Sequence, residues 1–156
     1  MTHAKIENDD FTGFVRVAEP RLCLALTAAF GLQCAQEATS ETLAFAWENW
    51  DRVSQSPNPI GFLFGVGRNK AKGIIRRGSR AHFPPVEADN LPWVEPHLPA
   101  ALSRLSERQR QVVMLLHCFD WTLTEVAELM GLSKGTVQTH DRRGLARLRR
   151  DLGVGQ

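Results

Sequence analysis

Five of the eight prolines in this chain fall between residues 84 and 99. Proline fixes its own φ, donates no backbone hydrogen bond and pushes the preceding residue away from helical angles. The stretch Ser79 to Pro99 therefore predicts neither a helix nor a central strand. On both sides of it the apolar residues recur at three- and four-residue steps, with no alternating strand pattern. The expectation is an all-α chain of two small helical domains, residues 1–80 and 98–156, joined by a Pro-rich, semi-stiff linker over 81–97.

Composition narrows the class further. No apolar run approaches the roughly 20 residues of a membrane span, and the first ten residues lack a signal peptide's apolar stretch, so a cytoplasmic protein without membrane insertion is expected. Cys23, Cys34 and Cys118 are an odd set without a C-x-x-C pair, which argues against a disulfide framework or a zinc module and predicts reduced, mostly buried thiols. His117 and Cys118 are adjacent and cannot both face one ion from the same side of a helix, so no metal and no cofactor are expected. Charge is distributed unevenly. Eight acidic side chains stand against three basic ones before Arg52, whereas Arg68 to Arg80 holds six basic residues and Arg142 to Arg150 five. Two basic stretches behind an acidic front predict two contacts with a polyanion and a different partner for the third surface.

In the first domain a short helix is expected from Phe11 to Glu19, restarting at Pro20 and running to about Phe30, with Gly31 ending it. A longer helix follows from about Ala35 to Arg52, its apolar line formed by Ala38, Leu43, Ala46, Trp47 and Trp50 and its other face by Glu37, Glu41 and Glu48. Pro57-Asn58-Pro59 predicts a loop, after which Pro59 opens a helix with Phe62, Leu63, Val66, Ile74 and Ile75 inward and the basic residues outward. Gly61, Gly65, Gly67 and Gly73 are expected to weaken that helix.

The second domain carries sharper local signals. Ser106-Glu-Arg-Gln109 and Thr122-Leu-Thr-Glu125 are capping boxes, each marking a helix start. Ahead of the second box, Val112, Val113, Leu115, Leu116 and Phe119 form an apolar face that makes the domain a four-helix unit. Ala127, Gly131 and Leu132 supply the small residue, the left-handed turn and the tucked apolar residue of a helix-turn-helix. Ser133 offers the next N-cap and Val137 the core plug. The outward set, Ser133, Lys134, Thr136, Gln138, Thr139, His140, Arg142 and Arg143, suits base edges and phosphates in a major groove. Asp141, among them, would repel a nearby phosphate.

These residues resemble a known family. Leu105-Ser-Glu-Arg-Gln-Arg-Gln-Val-Val113, Thr122 through His140, and the tail Leu145-Ala-Arg-Leu-Arg-Arg150 are similar to region 4 of extracytoplasmic-function sigma factors. Response regulators share much of that pattern. Gln36 to Arg52, Asn58 to Asn69 and the basic run after them resemble sigma region 2 in order and spacing. In place of the family's usual Asp-Leu-Val-Gln-Glu the chain reads Glu37-Ala-Thr-Ser-Glu41, keeping both acids. The resemblance implies promoter recognition and transcription initiation with bacterial core RNA polymerase. It places Glu37, Glu41, Trp47 and Glu48 against the β′ clamp helices, the second domain on the β flap, and Asn58, Arg68, Asn69, Lys72, Arg76 and Arg77 along the melted minus-ten strand. Ser133 to Arg143 would read the minus-thirty-five element of promoter DNA. It also implies that an anti-sigma factor can mask both domains.

Besides an adaptor whose acidic helix binds another protein alone, which loss of DNA binding in a gel shift would favour, two other readings stay open on the residues alone. One is a stand-alone helix-turn-helix regulator that keeps the architecture and binds duplex DNA without polymerase. The other treats the acidic helix as a plainly solvated face, with Phe62 and Phe64 more readily core than base-stacking. No catalytic residues are expected: there is no phosphate-cradling glycine loop, nucleophile motif or H-E-x-x-H. Arg142→Ala is expected to weaken duplex binding at every sequence and to reduce the salt slope by about 0.9, one phosphate's worth, in binding titrations. Gln138→Ala is expected instead to change sequence preference in a competition assay, and equal losses on all sequences would exclude base reading there.

Overall fold

The computed structural model describes residues 2–78 and 97–154, with side chains in the first stretch from Asp10 onward. Of the expected linker, only His97 falls within the described residues. Helix α1 (Thr2–Phe30) leads to α2 (Leu32–Glu48), the short α3 (Trp50–Ser54) and α4 (Pro59–Arg76). After the linker come α5 (Leu98–Arg104), α6 (Glu107–Val113), α7 (Leu123–Met130) and α8 (Lys134–Leu152). The described residues are all-α, as expected.

Several expected boundaries are corrected. Pro20 does not restart a helix; it lies inside α1. A mid-helix proline costs about 3 kcal/mol. Pro20 faces solvent, where water can reach the carbonyl it leaves unbonded, and Ala18 and Leu22 on either side of it are fully buried. Packing on both sides of the break holds the helix together. The helix expected over Ala35 to Arg52 stops at Asn49, where φ is −122° and the side-chain amide donates to the Phe45 carbonyl at 3.0 Å, before α3 begins. At the far end of the proline stretch, Pro99 opens α5 within its first turn, the one place in a helix where a missing N–H costs nothing. Of the three cysteines only Cys34 is buried, its thiol pushed up by that burial and bonded to the Ala71 carbonyl; Cys23 is half-buried and Cys118 exposed.

The α4 core side is Leu63, Phe64, Ala71 and Ile74, with Phe62 and Val66 half-buried and Ile75 outside. Phe62 packs near Phe45 and beneath the Arg52 guanidinium. Among the α4 glycines the sequence reading missed a purpose. A Cβ on Gly67 would come within 3.0 Å of Leu26 and 3.2 Å of Thr42 Oγ1, so this glycine sets how closely α4 lies on α1 and α2. In α8 a Cβ on Gly144 would stand 2.8 Å from Val113 Cγ2, which fixes the α6–α8 spacing in the same way.

Both capping boxes form as expected, at Ser106 with Gln109 and at Thr122 with Glu125. Between them the helix departs from α geometry: Met114–Cys118 is a π turn, with the Phe119 amide reaching back to the Met114 carbonyl at 3.0 Å. Asp120 follows with φ 58°, a left-handed position that aspartate tolerates better than most side chains.

The two sets of helices share one core. Ala18, Leu22, Ala25, Leu26, Ala28 and Ala29 of α1 belong to the same apolar cluster as Val112, Leu115, Trp121, Val126, Leu129 and Val137. A smaller cluster of Ala101, Leu102, Leu105, Val113 and Leu148 sits under α5. Polar contacts close the seam. Gln111, 1% exposed, donates its amide to the Ala25 carbonyl at 3.2 Å. Arg110 donates to the carbonyls of Ala28 and Ala29 in the last turn of α1 and to Leu105. A cation there also meets the negative end of the helix dipole. Burial lowers the Arg110 pKa, and Glu107 opposes that shift. Arg21 lies over the Trp121 ring at 4.3 Å and bonds Glu125 at 2.7 Å.

Gly67→Ala is expected to lower stability by about 1–3 kcal/mol in urea unfolding, the usual cost of overpacking. Gly65→Ala, whose Cβ would meet nothing within 4 Å, is expected to raise stability by up to ~1 kcal/mol through helix propensity. A second expectation concerns Glu125. The Arg21 hydrogen bond, then the Thr122 amide and hydroxyl, hold its carboxyl at about 2 against an ordinary value of 4.5. A depressed carboxylate stabilises the folded state fully above its unfolded pKa and loses that contribution as pH falls toward the folded one. The stability difference between the wild type and Glu125→Gln should therefore be constant above pH 4.5 and shrink steadily toward pH 2; a difference independent of pH would show that the pair contributes nothing.

Candidate nucleic-acid interface

The turn before α8 is built by local chemistry. Gly131 takes φ 64°, and the amides of Leu132 and Gly131 return to the Ala127 and Glu128 carbonyls, closing α7 with a left-handed cap. Ser133 then caps α8, its hydroxyl accepting from the Thr136 amide at 3.1 Å. Val137 is fully buried, which turns the opposite side of α8 to solvent. Lys134, Thr136, Gln138, Arg142 and Arg143 are exposed there, and Thr139 and His140 are half-buried beside them. The hydroxyls of Ser133 and Thr136 bond to each other at 2.9 Å, and Thr139 donates to the Gly135 carbonyl. Those three serve the helix itself, and Lys134, Gln138, Arg142 and Arg143 are left as the outward polar set. Asp141 is half-buried, and His117 Nε2 lies 2.8 Å from its Oδ1. Nothing in the local sequence pattern announced that pair.

A second basic surface runs along α4. Arg68, Asn69, Lys72 and Arg76 follow one another at one-, three- and four-residue steps on the side away from Leu63, Ala71 and Ile74. Asn69, Lys72 and Arg76 are exposed. Arg68 is half-buried and paired with Glu107 of α6 at 2.8 Å. Arg77 stands apart from this row as the C-cap residue, 3.6 Å from Glu41. Asn58 is the N-cap of α4: its Oδ1 accepts from the Gly61 amide, and its Nδ2 donates to the Glu128 carbonyl of α7 at 2.6 Å. A Cβ on Gly61 would collide with that amide at 2.3 Å, so the Asn58 cap requires glycine there. Asn58, Phe64 and Arg68 line, with Arg108, Glu128 and Met130, a cavity of about 170 Å³ between α4 and α7.

The acidic row on α2 is also in place. Glu37 and Glu48 are exposed and Glu41 half-buried. Trp47, read from the sequence as part of the apolar line, is 52% exposed; it leans on Phe11 at 5.0 Å, while Trp50 takes the inner position against Phe11 and Phe14. Acids and a partly bare indole thus share one surface. Among the described residues no group of three or more histidine, cysteine or acidic side chains is arranged to hold a metal ion, and no helix is long and apolar enough to cross a membrane.

Residues 98–148 match the family described as sigma-70, region 4, a span that contains the whole helix-turn-helix. No curated protein sequence matches the chain. Among solved structures, the chain is similar to the sigma factor RpoE from Bartonella quintana, crystallised in complex with the anti-sigma factor NepR. The TM-score is 0.65 at 22% identity, over 94% of this chain and 99% of that one. The helices after the linker thus match sigma-70 region 4, and the chain as a whole has the all-α fold of the sigma factor RpoE.

Proposed function

We propose that this chain gives promoter recognition to bacterial core RNA polymerase and that its two halves divide the work. The observation that carries the reading is the outward set of α8, Lys134, Gln138, Arg142 and Arg143, presented by a capped helix-turn-helix inside a sigma-70 region 4. A helix of this kind enters the major groove with its first turns against base edges and its cations against phosphates. That groove is the minus-thirty-five element, with the same domain resting on the β flap.

The acidic row of α2, Glu37, Glu41 and Glu48 with Trp47, fits a basic helical partner, the β′ clamp helices. Asn69, Lys72 and Arg76 form a track for a single-stranded backbone, and Arg68 and Asn58 extend it toward the loop before α4. In this structure both of those last residues are engaged by region 4, through Glu107 and the Glu128 carbonyl, so the minus-ten strand must displace region 4 contacts to reach them. Arg77, drawn toward Glu41, is a bridge between the polymerase-facing and strand-facing surfaces. Residues 1–80 then act as the polymerase- and minus-ten-binding domain and 98–156 as the upstream reader. The role is one of binding rather than catalysis, in the cytoplasm. An anti-sigma protein is a fitting regulatory partner, since the similar RpoE is bound by one.

The test is run-off transcription with purified core polymerase and a genomic promoter library, with and without the protein. Promoter-specific transcripts are expected, and Trp47→Ala is expected to reduce them by about tenfold or more, the loss of an aromatic anchor, without weakening duplex binding in a gel shift. Duplex binding with no transcripts from the wild type would establish a stand-alone regulator instead.

A further inference from the structure

We infer that His117 is a positioning residue for DNA reading: it holds the Asp141 carboxylate off the groove-facing side of α8. The inference rests on the reading of α8 as the recognition helix and adds to it a residue outside the helix-turn-helix.

The geometry follows from the α6–α8 seam. Val113 packs against Gly144, where a Cβ would stand 2.8 Å from Val113 Cγ2. One turn further along, four residues on from Val113 and three back from Gly144, His117 Nε2 meets Asp141 Oδ1 at 2.8 Å. The segment Met114–Cys118 is a π turn in which Leu115 is fully buried, whereas His117 lies at the edge of α8 with its side chain 48% exposed. A single wide turn is a common way for a helix to place a functional side chain.

Asp141 occupies a delicate position. It follows Val137, which is core, by one turn, and it adjoins Gln138 and Arg142, which face outward. A carboxylate at that margin can swing toward a DNA phosphate and repel it, or compete with the phosphate for Arg142. The bond to His117 turns it toward the seam. Arg142→Ala removes an attraction; loss of His117 would unmask a repulsion within the same turn.

Equilibrium binding of the full chain to a minus-thirty-five duplex, followed by fluorescence anisotropy, tests this. His117→Ala is expected to weaken binding about fivefold, the scale of one like-charge contact screened by bulk water. Asp141→Asn in the same chain is expected to restore the affinity, so that the double variant matches Asp141→Asn alone. His117→Gln, whose amide can still donate to Asp141, is expected to keep most of the wild-type affinity. Unchanged binding by His117→Ala would overturn the inference, as would a loss that Asp141→Asn fails to rescue, which would mark His117 as merely structural. A wild type that binds no duplex would overturn the recognition-helix reading itself, a separate outcome.

Discussion

The fold depends on how the last turns of α1 accept the second set of helices. Helix ends leave carbonyls without partners, and burying them unbonded would cost more than the packing returns. Here Arg110 supplies the donors to Ala28 and Ala29, and its neighbour on α6, Gln111, adds a bond to the Ala25 carbonyl one turn earlier. The alanines do the complementary work: with no long side chains between them, α6 lies close enough for those bonds to form. A polar key and an apolar stripe thus specify one docking geometry, and the Arg21–Glu125 and Arg68–Glu107 pairs border it.

That docking has a functional cost and a functional use. Glu125 serves twice, as the third residue of the α7 capping box and as the acid for Arg21, so the start of the helix-turn-helix is tied to α1. Asn58 serves twice as well, capping α4 and reaching α7. The α8 face remains open while the α4 track is partly occupied. The two basic surfaces are therefore in different states of readiness, although both belong to one packed body.

What could be read from the sequence was local. Capping boxes, the left-handed Gly131 and the Ser133 cap involve residues three or four apart, and side-chain chemistry alone announces them. The contacts that join the halves span 39 to 104 residues of sequence, from Arg68–Glu107 to Arg21–Glu125, and a single sequence keeps no record of such pairs. Pro20 was misread because propensity was allowed to outweigh pattern. Ala18, Leu22, Ala25 and Ala29 continue at helical spacing straight past it, and that stripe was the signal for one long helix. The π turn gave no sign at all in the local pattern. Gly67 and Gly144 looked like weak points because their neighbours across the helix seams were unknown.

Pro20 has a further bearing on how α1 behaves. The turn it interrupts separates two lengths of helix with different obligations: Phe11 and Phe14 buttress Trp47 and Trp50, whereas Leu22 to Ala29 hold the second set of helices. A helix missing one rung opens most readily at that rung. The N-terminal length therefore answers to the tryptophans and the C-terminal length to the second set of helices, with one shared core spanning the missing rung.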